Sequence, residues 1–173
     1  MSEKAPDAAQ SLGPREAVLA LLFAPDRKTS EGNWTWNAPI DGKTRLVKEL
    51  FLFDRETEAG RSHALSFEFT PGPYGPSSMA LTNALDDMVA RGEISATTST
   101  GSRSVVLRLV GKAGSVAKTV WSSLSEIQRR DFYQTKSRLR DIPYRTLLAR
   151  VYKDYPEYTT NSLIRDEVLS PNW

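Results

Sequence analysis

The stretch 43–60, KTRLVKELFLFDRETEAG, constrains the fold of this chain more than any other. Leu46, Leu50 and Phe53 recur along one helical stripe flanked by Val47 and Phe51, so the spacing predicts a helix that runs through the core and stops at Gly60. The rest of the chain can enclose such a helix. Its 173 residues, 39% hydrophobic and 25% charged, are close to globular averages, and a chain of that size buries a core without staples. One compact domain is expected.

Ahead of this helix, residues 1–13 are small, polar and interrupted by proline, which reads as a flexible tail. Pro14 opens a first helix in which Ala17, Val18, Leu21 and Leu22 share a face, ending near Ala24 and Pro25. Residues 26–41 are polar, with Gly32, Asn33, Asn37 and Pro39, and predict a loop or short edge strand that carries Trp34 and Trp36. After the core helix, HALSFEFTP alternates Ala64 and Ser66 against Leu65, Phe67 and Phe69, the period of a half-buried strand. Tyr74-Gly75-Pro76 makes a stiff corner in which Tyr74 closes the core edge. Ser77 and Ser78 then cap a helix with Leu81, Leu85, Met88 and Val89 inward, closed at Gly92. Residues 93–111 predict a hairpin that turns around residues 99–102. Helices follow over KAGSVAKTVWSSL, SEIQRRDFYQTKSRLRDI and, from Pro143, YRTLLARVYKDY, with Pro156 as the stop.

Helix, helix, strand, helix, hairpin is the element order of a winged helix. The expected class is therefore mainly α with a small β part (α+β): a winged-helix-like core over 14–124 and a helical extension over 125–173 packed on it. Leu46, Leu50, Leu65, Phe67, Leu85 and Val89 are expected to share its interior.

Three stretches together resemble the YwgA-like family of bacterial and archaeal proteins and, more distantly, the Panacea antitoxin domain. The first is Gly42-Lys43-Thr44-Arg45-Leu46-Val47-Lys48-Glu49-Leu50 and the second Tyr74-Gly75-Pro76-Ser77-Ser78. The third is Arg91-Gly92-Glu93-Ile94 with Leu107-Arg108-Leu109-Val110-Gly111-Lys112-Ala113-Gly114. The resemblance covers residues 14–125. It implies a winged-helix fold and a regulator, an antitoxin-like binding module or an accessory protein of a mobile-element or defence system.

Composition removes whole function classes. The absence of cysteine excludes disulfides, thiolate catalysis and sulfur-ligated zinc or iron. With His63 as the single histidine, a Ser-His-Asp triad or a multi-histidine metal site is not expected, and His63 reads as a strand or loop residue without a chemical role. The carboxylates Asp54, Glu56 and Glu58, and the pair Asp86-Asp87, stand beside no histidine and no phosphate loop, so they read as solvated helix faces. No catalytic residue, metal ligand or cofactor is assigned. The start of the chain has no apolar h-region, and no run approaches the roughly 20 apolar residues of a membrane span, so a cytoplasmic protein without a membrane partner is expected.

Net charge of +2 permits nucleic-acid contact without requiring it, so local patches decide. Residues 127–145 are rich in arginine and lysine, and Arg129, Lys136 and Arg140 return to one helical stripe with Tyr133, as a phosphate-tracking face would. Lys43, Arg45 and Lys48 on the core helix and Arg103 and Arg108 on the wing complete the candidate phosphate contacts. The helix that a winged helix places in the major groove instead offers Ser78, Thr82, Asn83, Asp86, Asp87 and Arg91, and two aspartates repel phosphate. Trp34 and Trp36, whose i, i+2 spacing directs them to one shared contact, and Tyr152, Tyr155 and Tyr158 are the candidate protein-interface residues. The function expected first is a non-enzymatic regulator that binds DNA through the wing and the basic helix. The alternative is a protein-binding antitoxin-like or adaptor module, and self-association is left open.

Overall fold

The computed structural model describes residues 10–98 and 105–173. Helix α1 (Pro14–Phe23) starts on Pro14 and is buried without interruption from Ala17 to Phe23, so it shares the centre of the core with the helix expected there. Two short strands, β1 (Arg27–Lys28) and β2 (Trp34–Thr35), pair into a small hairpin. Strand β3 (Ile40–Asp41) leads into α2 (Lys43–Glu56), the apolar helix, followed by α3 (Glu58–Arg61). Strands β4 (Thr70–Gly72) and β5 (Gly75–Ser77) form a tight ladder before α4 (Met79–Ala90). The wing is β6 (Ile94–Thr98) and β7 (Val105–Leu109). Helices α5 (Ala113–Ser123), α6 (Glu126–Leu139) and α7 (Tyr144–Asp154), a 3-10 turn over Pro156–Thr159 and α8 (Arg165–Val168) complete the chain.

The class is mainly α with a small β part. Strand β3 pairs antiparallel with β7, which pairs with β6, so α1, β3, α2, α4 and the wing follow one another with the connectivity of a winged helix. The extension adds Phe132, Leu147, Val151 and Tyr152 to the same continuous core, with Phe132 stacked on Phe53 at 4.1 Å. Leu46, Leu50, Leu65 and Leu85 are buried in it, and Phe67 and Val89 pack on its edge. Local signals set several boundaries: the Ser78 hydroxyl accepts from the Leu81 N–H (3.3 Å), and Ser125 and Gln128 form a reciprocal capping box on α6.

Four expectations differ from what is observed. The core helix ends at Thr57 and not at Gly60, because Thr57 turns extended and its hydroxyl accepts from the Gly60 N–H to start α3 (3.0 Å). Gly60 serves close approach instead, since a Cβ there would collide with the carbonyls of Phe53 and Asp54. The strand expected over 63–70 is irregular except at Thr70, because its backbone partner is a single residue: Leu12 donates to the Ala64 carbonyl (2.7 Å) and accepts from the Ser66 N–H (2.9 Å). For the same reason residues 10–13 are no tail, and Leu12 is buried. Tyr74 is exposed at the β4–β5 turn and closes nothing; Gly75, at φ +84°, lies where a Cβ would come 2.8 Å from the Tyr152 ring, and Tyr152 fills the core edge. Residues 1–9, the wing turn expected at 99–102 and Arg103 lie outside the described residues.

Candidate functional site

The face that a DNA-reading winged helix presents is α4 with the start of α2. Asp86 and Asp87 are both exposed on α4, and the Lys43 ammonium is held by the Asp86 carboxylate at 2.5 Å. Ser78 is buried as the cap of α4 and does not point outward.

Four of the remaining basic candidates are spent inside the molecule. Lys48 is 1% exposed and donates to the Pro76 carbonyl (2.7 Å), tying α2 to the Tyr-Gly-Pro corner. Lys136 donates to the carbonyls of Leu22 (2.6 Å) and Ala24 (2.9 Å), so it satisfies the orphan carbonyl groups at the C-terminus of α1. Burial pushes both amines down to about 7. Arg45 does for α6 what Lys136 does for α1: its guanidinium donates to the carbonyls of Leu139 and Ile142 (2.8 Å for Ile142) and pairs with Glu49 at 3.0 Å. Arg140 is ion-paired with the buried Asp26. The stripe expected over Arg129, Tyr133, Lys136 and Arg140 therefore exists as one face, but that face is turned toward α1 and the β1–β2 hairpin. Of the expected phosphate contacts, the structure thus places Arg45, Lys48, Lys136 and Arg140 in internal hydrogen bonds or ion pairs. Arg108 is exposed on the wing and Arg129 half-buried on α6.

One concavity adjoins these groups and another lies apart from them. A cleft of about 460 Å³ lies between the start of α2 and the α6–α7 connection, lined by Asp41, Thr44, Arg45, Arg140, Asp141 and Tyr144. Beneath Arg45 and Arg140, Glu49 is buried, and burial pushes its carboxyl up to about 7 although Arg45 opposes the shift. Across the molecule, His63, at φ 57°, lines an open cleft with Asp54, Arg55, Glu68 and Tyr158. The carboxylates of the α2 end are committed to structure: Glu56 accepts from Arg150 at 2.7 Å and from the Tyr155 hydroxyl at 3.1 Å, and Glu58 pairs with Arg130 at 2.8 Å. Among the described residues no group of three or more His, Cys, Asp or Glu side chains is placed to hold a metal ion, and no helix is long and apolar enough to cross a membrane.

The tyrosine run is not an exposed surface. Tyr152 is fully buried with its hydroxyl 2.7 Å from that of Ser162, Tyr155 and Tyr158 both pack edge-on against Phe51, and Arg55 donates to the Tyr158 hydroxyl at 2.7 Å. Tyr155 and Tyr158 thus pack the extension onto α2, while Tyr152 packs against Gly75, so the structure places these three interface candidates in internal contacts. Burial pushes the Tyr155 hydroxyl up to about 12.

The tryptophans are placed differently. Trp34 meets Tyr133 of α6 edge-on at 4.9 Å, while Trp36 lies against Phe23 of α1 (5.2 Å) and Trp121 of α5 (5.8 Å). They serve two contacts and not the single shared one expected, because Trp36 stands beyond β2 where Asn37 turns to φ 55°. Both remain exposed. No protein-family model matches this chain, and no curated protein matches it.

Proposed function

We propose that this protein is a non-enzymatic, cytoplasmic regulatory module, antitoxin-like or an adaptor, built on a winged-helix-like core and directed at a polypeptide partner. One observation carries the choice of polypeptide over DNA: Arg45, Lys48, Lys136 and Arg140 are engaged by internal carbonyls and a buried carboxylate, and Lys43 by Asp86. A cation that already satisfies a helix terminus in the interior releases no counterions from a phosphate backbone. With Asp86 and Asp87 on the outer side of α4, a duplex would approach the face that reads the major groove against like charge. Arg108, Arg129 and Lys43, the last in an exposed pair with Asp86, are then the described residues on which a DNA reading rests.

The test is a titration of labelled duplex DNA, followed by fluorescence anisotropy over a series of salt concentrations. The proposal expects no specific affinity tighter than about 10⁻⁶ M at physiological salt, the non-specific range. Sequence-specific binding that weakens steeply with salt and depends on Arg108 and Arg129 would replace it with the DNA reading.

A further inference from the structure

The fold does not account for the aromatic surface of the β1–β2 hairpin. Trp34 and Trp36 leave 39% and 42% of their surface in water, though each also packs on a helix of the main body. A ladder of two residues per strand has little stability of its own, so these contacts, with the Asn37 N–H on the Phe23 carbonyl (3.4 Å), hold the hairpin in place. The outcome is an aromatic platform whose geometry is set before any partner arrives, the arrangement that lowers the ordering cost of an interface.

Its surroundings are basic. Arg27 and Lys28 are exposed on β1, Lys118 lies one turn before Trp121 on α5, and Arg129 lies one turn before Tyr133 on α6. Helix α5 contains no acidic residue. Asp26 is buried against Arg140, which leaves Glu31, Asp41 and Glu126 as the exposed acids nearby in the chain, against Arg27, Lys28, Lys118 and Arg129. We infer that the Trp34–Trp36 platform docks an acidic polypeptide segment carrying an aromatic or aliphatic anchor; this rests on the protein-binding reading and names its surface. Single-stranded nucleic acid would also answer to aromatic rings among cations. It is the competing outcome of the experiment, since the Lys28 ammonium 4.8 Å over the Trp34 ring would neighbour a bound base as well as a bound side chain.

The experiment uses the full chain and a fluorescein-labelled acidic peptide of about twelve residues with a central Trp-Leu pair, about the span of a short docked segment. Its Asn/Gln analogue and an oligothymidine serve as comparison probes. The acidic peptide is expected to bind, and the neutral analogue at least about tenfold more weakly. Arg27→Glu with Lys28→Glu, and separately Trp34→Ala with Trp36→Ala, should each cost at least about tenfold. The charge-reversal pair touches no buried side chain, so it decides the matter even if the tryptophan pair fails to fold. The inference is overturned if the acidic peptide does not bind, if both peptides bind alike, if the charge-reversal protein binds as the parent does, or if oligothymidine displaces the peptide. A native partner protein that is retained equally by the charge-reversal protein would refute this surface while leaving the protein-binding reading intact.

Discussion

Lys48→Met probes the interior charge on which the architecture depends. Lys48 is 1% exposed, and burial lowers its amine from 10.5 to about 7. Below pH 7 the folded protein carries that charge at a cost of about 5 kcal/mol, since each tenfold loss of proton affinity is worth about 1.4 kcal/mol. Between pH 7 and pH 10.5 the folded state has released the proton and the unfolded chain still holds it. Unfolding takes up a proton in that window, so stability rises with pH, by about 2 kcal/mol between pH 7 and pH 9. Lys136, lowered to about the same value, acts in the same window with the same sign. Methionine leaves the Pro76 carbonyl without its donor, a loss of about 1–3 kcal/mol, which is smaller than the charge cost at pH 7. The variant should therefore be the more stable protein at pH 7, and its advantage over the parent should shrink by about 2 kcal/mol by pH 9. Urea unfolding followed by tryptophan fluorescence at pH 7, 8 and 9 reads this directly. A stability difference that stays constant across the three would show that Lys48 is not held near neutral pH, and would refute the reasoning.

Three further perturbations follow from the same geometry. Leu50→Ala, at a fully buried position of α2, should lower unfolding free energy by about 2–5 kcal/mol in denaturant melts. Gly75→Ala should destabilise by at least about 1–3 kcal/mol, because φ is +84° and the new Cβ would press on the Tyr152 ring; near-ultraviolet circular dichroism should report the disturbed tyrosine. Glu49 has a raised pKa, so its contribution is fully present below pH 4.5 and is lost as pH rises through about 7; Glu49→Gln should remove about 2 kcal/mol of the pH dependence between pH 5 and pH 7, read from thermal melts at those two pH values.

The parts of this fold that were legible in the sequence are those set by neighbouring residues. Ser78 as a cap, Pro14 and Pro143 as helix openings and Gly92 as a stop all act within a few residues. The winged-helix order followed from them. What stayed hidden depends on partners far along the chain. Whether a lysine on α6 faces solvent or the end of α1 is decided by carbonyls 114 residues away, as for Lys136 and Leu22. Helical spacing placed Arg129, Tyr133, Lys136 and Arg140 on one face; it carried no information about what that face meets. Residues 63–70 alternate like a strand, but their partner is Leu12, so no ladder forms. For the candidate site, the tryptophans were visible as aromatic groups in polar surroundings, while their separate contacts required Asn37 to turn at φ 55°.

The central claim, that this winged-helix-like chain serves a polypeptide partner, is tested most directly by capturing the protein from its native host with and without nuclease treatment and identifying what stays bound. Retention of one stoichiometric protein after nuclease, at unchanged yield, is the predicted result. Loss of every bound species on nuclease treatment, with nucleic acid recovered from the untreated sample, would contradict it.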